Sequence, residues 1–283
     1  MFDPKEFGEF ETAWCPGCGD YAILKTLKAA LAGLDIHPHQ LLVVSGIGQA
    51  AKTPHYLRCN GYNGLHGRSL PPAQGAKLAN GELTVVVHSG DGCSYGEGGN
   101  HFLAAMRRNV DITLFAHDNQ IYGLTKGQAS PTTMQGQVTK AQPLGAPSNP
   151  FNPVAVATAM RVGFVARGFA GDTELLKDLM QQAIKHKGFS LLDILQPCVS
   201  FNKVNTYAWY KERVYRLGPE HDPADWSAAM HKAVEFGDRI PTGVIYREEK
   251  PDFAARFPFL AAGPLGRQPV DKAVLREVME SFG

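Results

Sequence analysis

The sequence predicts an α/β protein built on a mostly parallel sheet with helices on both faces and an irregular C-terminal tail. Three observations predict it. Four short apolar runs, "LLVVS" (41–45), "LTVVVH" (83–88), "ITLFAH" (112–117) and "FSLLDIL" (189–195), are bounded by turn residues, as strands buried on both faces are. Segments of helical periodicity lie between them, so helix and strand alternate. The 283 residues, 44% hydrophobic and 19% charged, suffice for one large domain or two small ones with ample core.

In chain order, the first segment, "MFDPKEFGEFETAW", is acidic and has no apolar stretch of the signal-peptide kind. No run is long enough to span a bilayer. A cytoplasmic location is therefore expected, where structural disulfides are disfavoured and the five cysteines point to metal or redox chemistry. A formal net charge of +1 gives no field that would draw nucleic acid or an acidic membrane.

"DYAILKTLKAALAGL" reads as a helix capped by Asp20, with Ile23, Leu24, Leu27 and Leu31 on one face. "GNHFLAAMRRN" (99–109) is a second helix. "DTELLKDLMQQAIKHKG" (172–188) is a third, opened near Asp172 or Thr173 and stopped by Gly188. The stretch 127–153 has no period and many Gly, Pro and polar residues; loops this long are functional or disordered. Beyond Cys198 the pattern weakens, and 240–283 reads as an irregular tail. The expected division is residues 1–205 as the binding domain and 206–283 as an extension packed on it or on a partner subunit.

The chemistry concentrates in 83–128. Gly90, Asp91 and Gly92 follow one strand end; Asp118 and Asn119 follow the next. Ligands of open parallel sheets bind beyond those ends, so Asp91 is placed to meet Asn119 there. A carboxylate, an amide oxygen and a backbone carbonyl are hard ligands suited to Mg²⁺ that leaves positions for substrate phosphate. Gly96, Gly98 and Gly99 would let backbone N–H groups approach that phosphate. Alone, GDG is more often a tight turn; the flanking strands and the Asp/Asn placement favour a metal-bridged diphosphate.

"WCPGC" (14–18) leaves three readings of Cys15 and Cys18 open: a dithiol redox pair, half a zinc site or half an iron–sulfur site. The dithiol motif follows a strand, and nothing before Cys15 reads as one.

GDG followed one strand–helix–strand unit later by Asn is similar to the thiamine diphosphate motif. "WCPGCGDY", "SGIG", "LHGRSLPPAQGAKLAN", "DNQIYGLTKGQ.SPTT" and "LQPCVSFN" closely resemble the β subunit of 2-oxoacid:ferredoxin oxidoreductases, in order over residues 11–205. The resemblance implies a thiamine diphosphate-binding fold and the following roles. Asp91, Asn119 and the Ile121 carbonyl would hold Mg²⁺ on the cofactor diphosphate. Gly48, Gly90, Gly92, Cys93, Gly123, Leu124 and Thr125 would line the cofactor, Leu124 beside the thiazolium. His66 and Arg68 would lie near it, a guanidinium suiting a phosphate or carboxylate. Lys52 and Lys126 would read a substrate carboxylate; each lysine alone is more often a solvated surface charge.

For the cysteines, the resemblance implies a [4Fe–4S] cluster held by Cys15, Cys18, a cysteine of a "GIGC" loop and Cys198. This chain departs from it, with Gln49 at the "GIGC" position. Cys59, ten residues on, is the expected replacement; Cys93 is its rival, and Gln49 or water at one iron, or no cluster, are the other readings.

The activity implied is oxidative decarboxylation of a 2-oxoacid to acyl-CoA and CO₂, with electrons passing through the cluster to ferredoxin, reversible as CO₂ fixation. Lys52 in "KTPHY" favours 2-oxoglutarate, with pyruvate or a broad range of 2-oxoacids as the close alternative. One apparent α/β unit, of diphosphate type, implies an α subunit that supplies the pyrimidine-binding domain and the activating glutamate, in an (αβ)₂ assembly. A cluster-free thiamine enzyme and a zinc-binding module without catalysis are the alternatives.

Overall fold

The structure, a computed structural model, describes residues 3–283; Met1 and Phe2 of the acidic leading segment lie outside the described residues. Eight strands form one sheet: β1 (Leu41–Ser45), β2 (Asn60–Asn63), β3 (Thr84–Gly90), β4 (Thr113–Asp118), β5 (Phe164–Phe169), β6 (Ser190–Leu195), β7 (Val214–Arg216) and β8 (Ile240–Arg247). Their order is β2-β1-β3-β4-β6-β5-β8-β7. All neighbouring pairs are parallel except β5 with β8.

Alternate side chains send two cores to the two faces. On one face, Val43, Val86, Phe115 and Leu192 pack beneath α1 (Gly19–Gly33) and, later in the chain, α5 (Thr173–Lys185). On the other, Val44, Val85, Val87 and Leu114 pack beneath α2 (Leu70–Ala79), α3 (Gly99–Arg108), α4 (Pro153–Ala159) and α7 (Trp226–Val234). Between α5 and α7 lies the short α6 (Tyr207–Lys211). The four strands and three helices read from periodicity are all present, within two or three residues at their ends.

Three expectations differ in detail. Asp20 does not cap α1; the helix starts one residue earlier, and Asp20 is buried and bonded to His117. The tail is not irregular from 240: Ile240–Arg247 is β8, which runs antiparallel along β5 and carries β7 on its other side. Residues beyond it form short helical turns and two helices, α8 (Pro258–Ala261) and α9 (Lys272–Glu280), with mostly exposed side chains, while Phe253 packs on the core. The 127–153 loop is ordered from within, with Ser130, Thr132 and Thr133 buried and bonded beneath it.

The chain direction across the sheet reverses between β1 and β3: from β1 it goes outward to β2, then crosses back to β3 and β4. Such a reversal leaves a crevice at the carboxyl ends of the two strands, where α/β proteins bind ligands.

Candidate active site

Three loops meet at that crevice. Residues 47–50 follow β1, 90–93 close and follow β3, and 119 and 121–125 follow β4; with His66 they line one cavity. It therefore gathers Gly48, His66, Gly90, Asp91, Gly92, Cys93, Asn119, Ile121, Gly123, Leu124 and Thr125, all expected from sequence. The backbone after Asp91 winds as one turn of π-helix, Gly92–Glu97, before α3 begins. π-turns are rare and cluster at functional sites. A side chain at position 92 is impossible without displacement, because a β-carbon there would lie 2.2 Å from Tyr122 Cε1. Gly46 and Gly67 close in on Cys93, whose Sγ accepts the Gly67 N–H at 3.2 Å. Cys93 is thereby committed to the turn.

Asp91 is buried, and its Oδ2 accepts from Ser130 Oγ at 2.5 Å and Thr132 Oγ1 at 2.7 Å. Burial pushes its carboxyl up, against the opposing pull of those hydrogen bonds. Its hydrogen-bond partners are hydroxyl and backbone groups, with no cationic side chain among them. A buried carboxylate of this kind fits a divalent cation, whose charge reverses the desolvation effect. Asn119 Oδ1 accepts the Ile121 N–H at 3.1 Å, and its Nδ2 donates to Gln196 Oε1 at 3.1 Å. This fixes the amide with its oxygen on the turn that also presents the Ile121 carbonyl. The donor set is all oxygen and fits Mg²⁺ with a diphosphate.

Glu97 is held by Tyr122, whose hydroxyl lies 3.1 Å from both carboxylate oxygens. His66 Nδ1 lies 3.0 Å from Glu97 Oε2, though out of hydrogen-bond alignment. Three expected residues stand elsewhere. Lys52 donates its ammonium to the Ala13 carbonyl at 2.9 Å and tethers the N-terminal segment. Arg68 is exposed, its guanidinium reaching the Gly67 carbonyl at 3.4 Å. Lys126 is exposed on the loop tip with φ of 75°. None of the three lines the cavity.

A second cavity adjoins the first. Its wall contains Cys15, Cys18 and Cys198 together with Gln49, Asn119, Gly123 and Gln196. Gln49, Asn119 and Gly123 line both cavities. The "WCPGC" turn is closed by Cys18 N–H donating to the Cys15 carbonyl at 3.0 Å. It is joined to the "LQPC" segment by Gly19 N–H donating to the Pro197 carbonyl and by Gln196 Nε2 donating to Cys18 Sγ at 3.3 Å. Among the described residues, no three His, Cys, Asp or Glu side chains converge as a mononuclear metal site requires. The three thiols border one cavity, and soft thiolate donors suit an iron–sulfur cluster as they suit zinc.

Cys59 is not in that wall, contrary to the sequence expectation. It immediately precedes β2, packs on the α1–α5 core and approaches the Val43 backbone. Burial pushes its thiol up to about 11, as for an inert structural cysteine. The β1–β2 register, Leu42 opposite Asn60, holds it there.

Sequence reasoning assigned no role to Ser130, Thr132 and Gln196. The first two carry the Asp91 carboxylate, and the third links the Asn119 amide to the Cys18 thiol. "SPTT" and "QPC" held the signal, but hydroxyls and amides in loops have too many ordinary uses to be singled out.

The comparisons with known proteins agree with this geometry. Residues 40–194 match the C-terminal TPP-binding domain of thiamine pyrophosphate enzymes, and 198–262 match the family formed by the C-terminal part of the pyruvate ferredoxin oxidoreductase beta chain. A 2-oxoacid:ferredoxin oxidoreductase subunit beta from Sulfolobus sp is 42% identical over 278 residues, covering 93% of this chain and 91% of that one. The 2-oxoglutarate oxidoreductase subunit KorB of Mycobacterium tuberculosis is 43% identical over 202 residues, covering 71% and 54%. The solved 2-oxoglutarate:ferredoxin oxidoreductase from Magnetococcus marinus, with 2-oxoglutarate, coenzyme A and succinyl-CoA bound, superposes with a TM-score of 0.91 at 35% identity, covering 98% and 96%. With the crevice, its two cavities and these likenesses in agreement, the chain belongs to the 2-oxoacid:ferredoxin oxidoreductase β-subunit family.

Proposed function

We propose that this chain is the diphosphate-gripping subunit of an enzyme that oxidatively decarboxylates 2-oxoglutarate to an acyl-CoA and CO₂ and passes the electrons to ferredoxin. The observation that carries this reading is the shared wall. The Asp91–Asn119–Ile121 cavity and the three-cysteine cavity meet at Gln49, Asn119 and Gly123.

In this reading Asp91, the Asn119 amide oxygen and the Ile121 carbonyl hold Mg²⁺ on the diphosphate, and Ser130 and Thr132 orient Asp91 toward it. Cys15, Cys18 and Cys198 hold a [4Fe–4S] cluster. Thiamine diphosphate held there would supply the electron sink for loss of CO₂, and a cluster held by the three thiols would supply a one-electron acceptor. The chain's own residues position and exclude: Leu124 and His66 line the cofactor cavity, while Tyr122 fills the space that Gly92 leaves. Glu97, engaged by Tyr122, sits at the diphosphate end. The carboxylate that activates the coenzyme ring therefore comes from an α subunit, and the assembly is an (αβ)₂ complex. The KorB relatives and the Magnetococcus marinus structure support 2-oxoglutarate as substrate. Among the described residues no helix is long and apolar enough to cross a membrane.

The test is anaerobic co-purification with the α subunit. Iron, acid-labile sulfide and thiamine diphosphate are expected to co-purify, with viologen dye reduction by 2-oxoglutarate and CoA faster than by pyruvate. Equal or faster reduction by pyruvate overturns the substrate assignment. Absence of iron and sulfide overturns the cluster.

A further inference from the structure

We infer that the fourth corner of the cysteine cavity is the Gln49 side-chain amide, so that the cluster there carries three thiolate ligands and one weakly held iron. This rests on the cluster reading above and goes beyond it.

Three observations point to Gln49. It lines the same cavity as Cys15, Cys18 and Cys198, and Cys59 does not. Its Oε1 is buried with no hydrogen-bond partner, a costly state for an amide oxygen unless a ligand completes it. Its placement is fixed from the backbone: Trp14 Nε1 donates to the Gln49 carbonyl at 2.9 Å, and Lys52 N–H donates to it at 3.2 Å. Trp14 directly precedes Cys15, so the indole pins the Gln49 loop to the cysteine turn. On the other side, a β-carbon on Gly123 would meet the Cys198 sulfur at 3.6 Å and Gln49 Cγ at 3.9 Å. The side chain thus faces the Cys198 thiol across a residue with none of its own.

The chemistry follows from ligand type. An amide oxygen is neutral and a weak donor beside a thiolate, so the iron it holds is the labile one. A one-electron oxidant takes the cluster from [4Fe–4S]²⁺ to [4Fe–4S]³⁺, which divides into [3Fe–4S]⁺ and Fe²⁺, with charge and iron conserved. Replacing the amide by a thiolate adds one negative charge to the cluster and lowers its reduction potential.

The experiment uses the anaerobically purified α–β complex, titrated with ferricyanide, with chelatable iron and the electron paramagnetic resonance spectrum as readouts. The wild type is expected to release one iron per cluster and to show the three-iron signal. Gln49→Cys is expected to keep its full iron under the same treatment, with a lower reduction potential. Cys59→Ala is expected to match the wild type in iron content and spectrum. A wild-type cluster that keeps all its iron, or a Cys59→Ala complex that loses iron where the wild type does not, overturns the inference while leaving the cluster standing. A complex without iron or labile sulfide overturns the functional reading first, and this inference with it.

Discussion

Thr132 Oγ1 lies 2.7 Å from Asp118 Oδ1 and also 2.7 Å from Asp91 Oδ2. A hydroxyl has one hydrogen, so it donates to only one of these two oxygens. The two contacts therefore share one donor, and Thr132 bridges two buried carboxyl groups that burial pushes upward, Asp118 well above the ordinary carboxylate range with the charges of Asp193 and Asp91 adding to it.

Thr132→Val keeps the shape and removes the bridge. It leaves Asp91 Oδ2 and Asp118 Oδ1 without this donor in a buried site, at a cost of about 1–3 kcal/mol. Urea denaturation of the free chain is expected to show a lower midpoint with an unchanged slope. An unchanged midpoint would mean that water replaces the hydroxyl without loss.

Asp91→Asn removes the charge while an amide oxygen still accepts from Ser130 and Thr132. Folding is expected to survive. Mg²⁺-dependent thiamine diphosphate binding by the α–β complex should weaken by at least ~10-fold, equivalent to about 1.4 kcal/mol. Calorimetric titration with and without EDTA separates the metal-dependent part, and binding as tight as wild type would remove Asp91 from the metal site.

Gly92→Ala drives a methyl into the Tyr122 ring, which must swing away and release Glu97. Overpacking costs about 1–3 kcal/mol. Raised exposure of Tyr122 to acrylamide-type quenching or chemical modification, with cofactor affinity reduced, is the expected result. A variant with an unmoved Tyr122 would show that the π-turn absorbs the methyl.

Asp193 gives a pH signature. Burial raises its carboxyl from 3.8 to about 6, with Arg167 and the Tyr95 hydroxyl opposing. The folded state thus binds the proton more tightly than the unfolded one. Its contribution is fully present below about pH 4 and is lost as pH rises through about 6, on the order of 3 kcal/mol. Asp193→Asn removes this titration but also Arg167's opposing charge, so the expected outcome is a change in pH dependence: wild-type stability falls as pH rises through about 6, and the variant's does not, which makes the difference between them depend on pH across that window. A pH-independent difference would mean that Arg167 compensates the charge fully.

Much of the fold was legible because buried parallel strands are nearly unbroken apolar runs, and β1, β3, β4 and β6 are such runs. β5 was not, because Arg167 and Gly168 interrupt "FVARGF"; the guanidinium is tolerated inside since Asp193 lies opposite it in register on β6. β8 was hidden by Pro241 and Gly243, which argue against a strand interior until β7 is seen beside it. In the site, Asp91 and Asn119 were legible from the strand-end rule. Cys59 lies outside the thiol cavity because sequence distance says nothing of strand register: four pairings with β1, beginning with Leu42 opposite Asn60, hold that end of β2 against the core. Family position alone points Lys52 to the substrate; in the structure its ammonium donates to the Ala13 carbonyl.

Gln49, Asn119 and Gly123 form a partition one side chain thick. Lesions on its two sides are consequently coupled: a change at Asn119 made to disturb the coenzyme also moves Gln196 and, through it, the Cys18 sulfur. Paired substitutions across the partition will depart from additivity, and the size of that departure measures how rigidly the two chambers are bolted together.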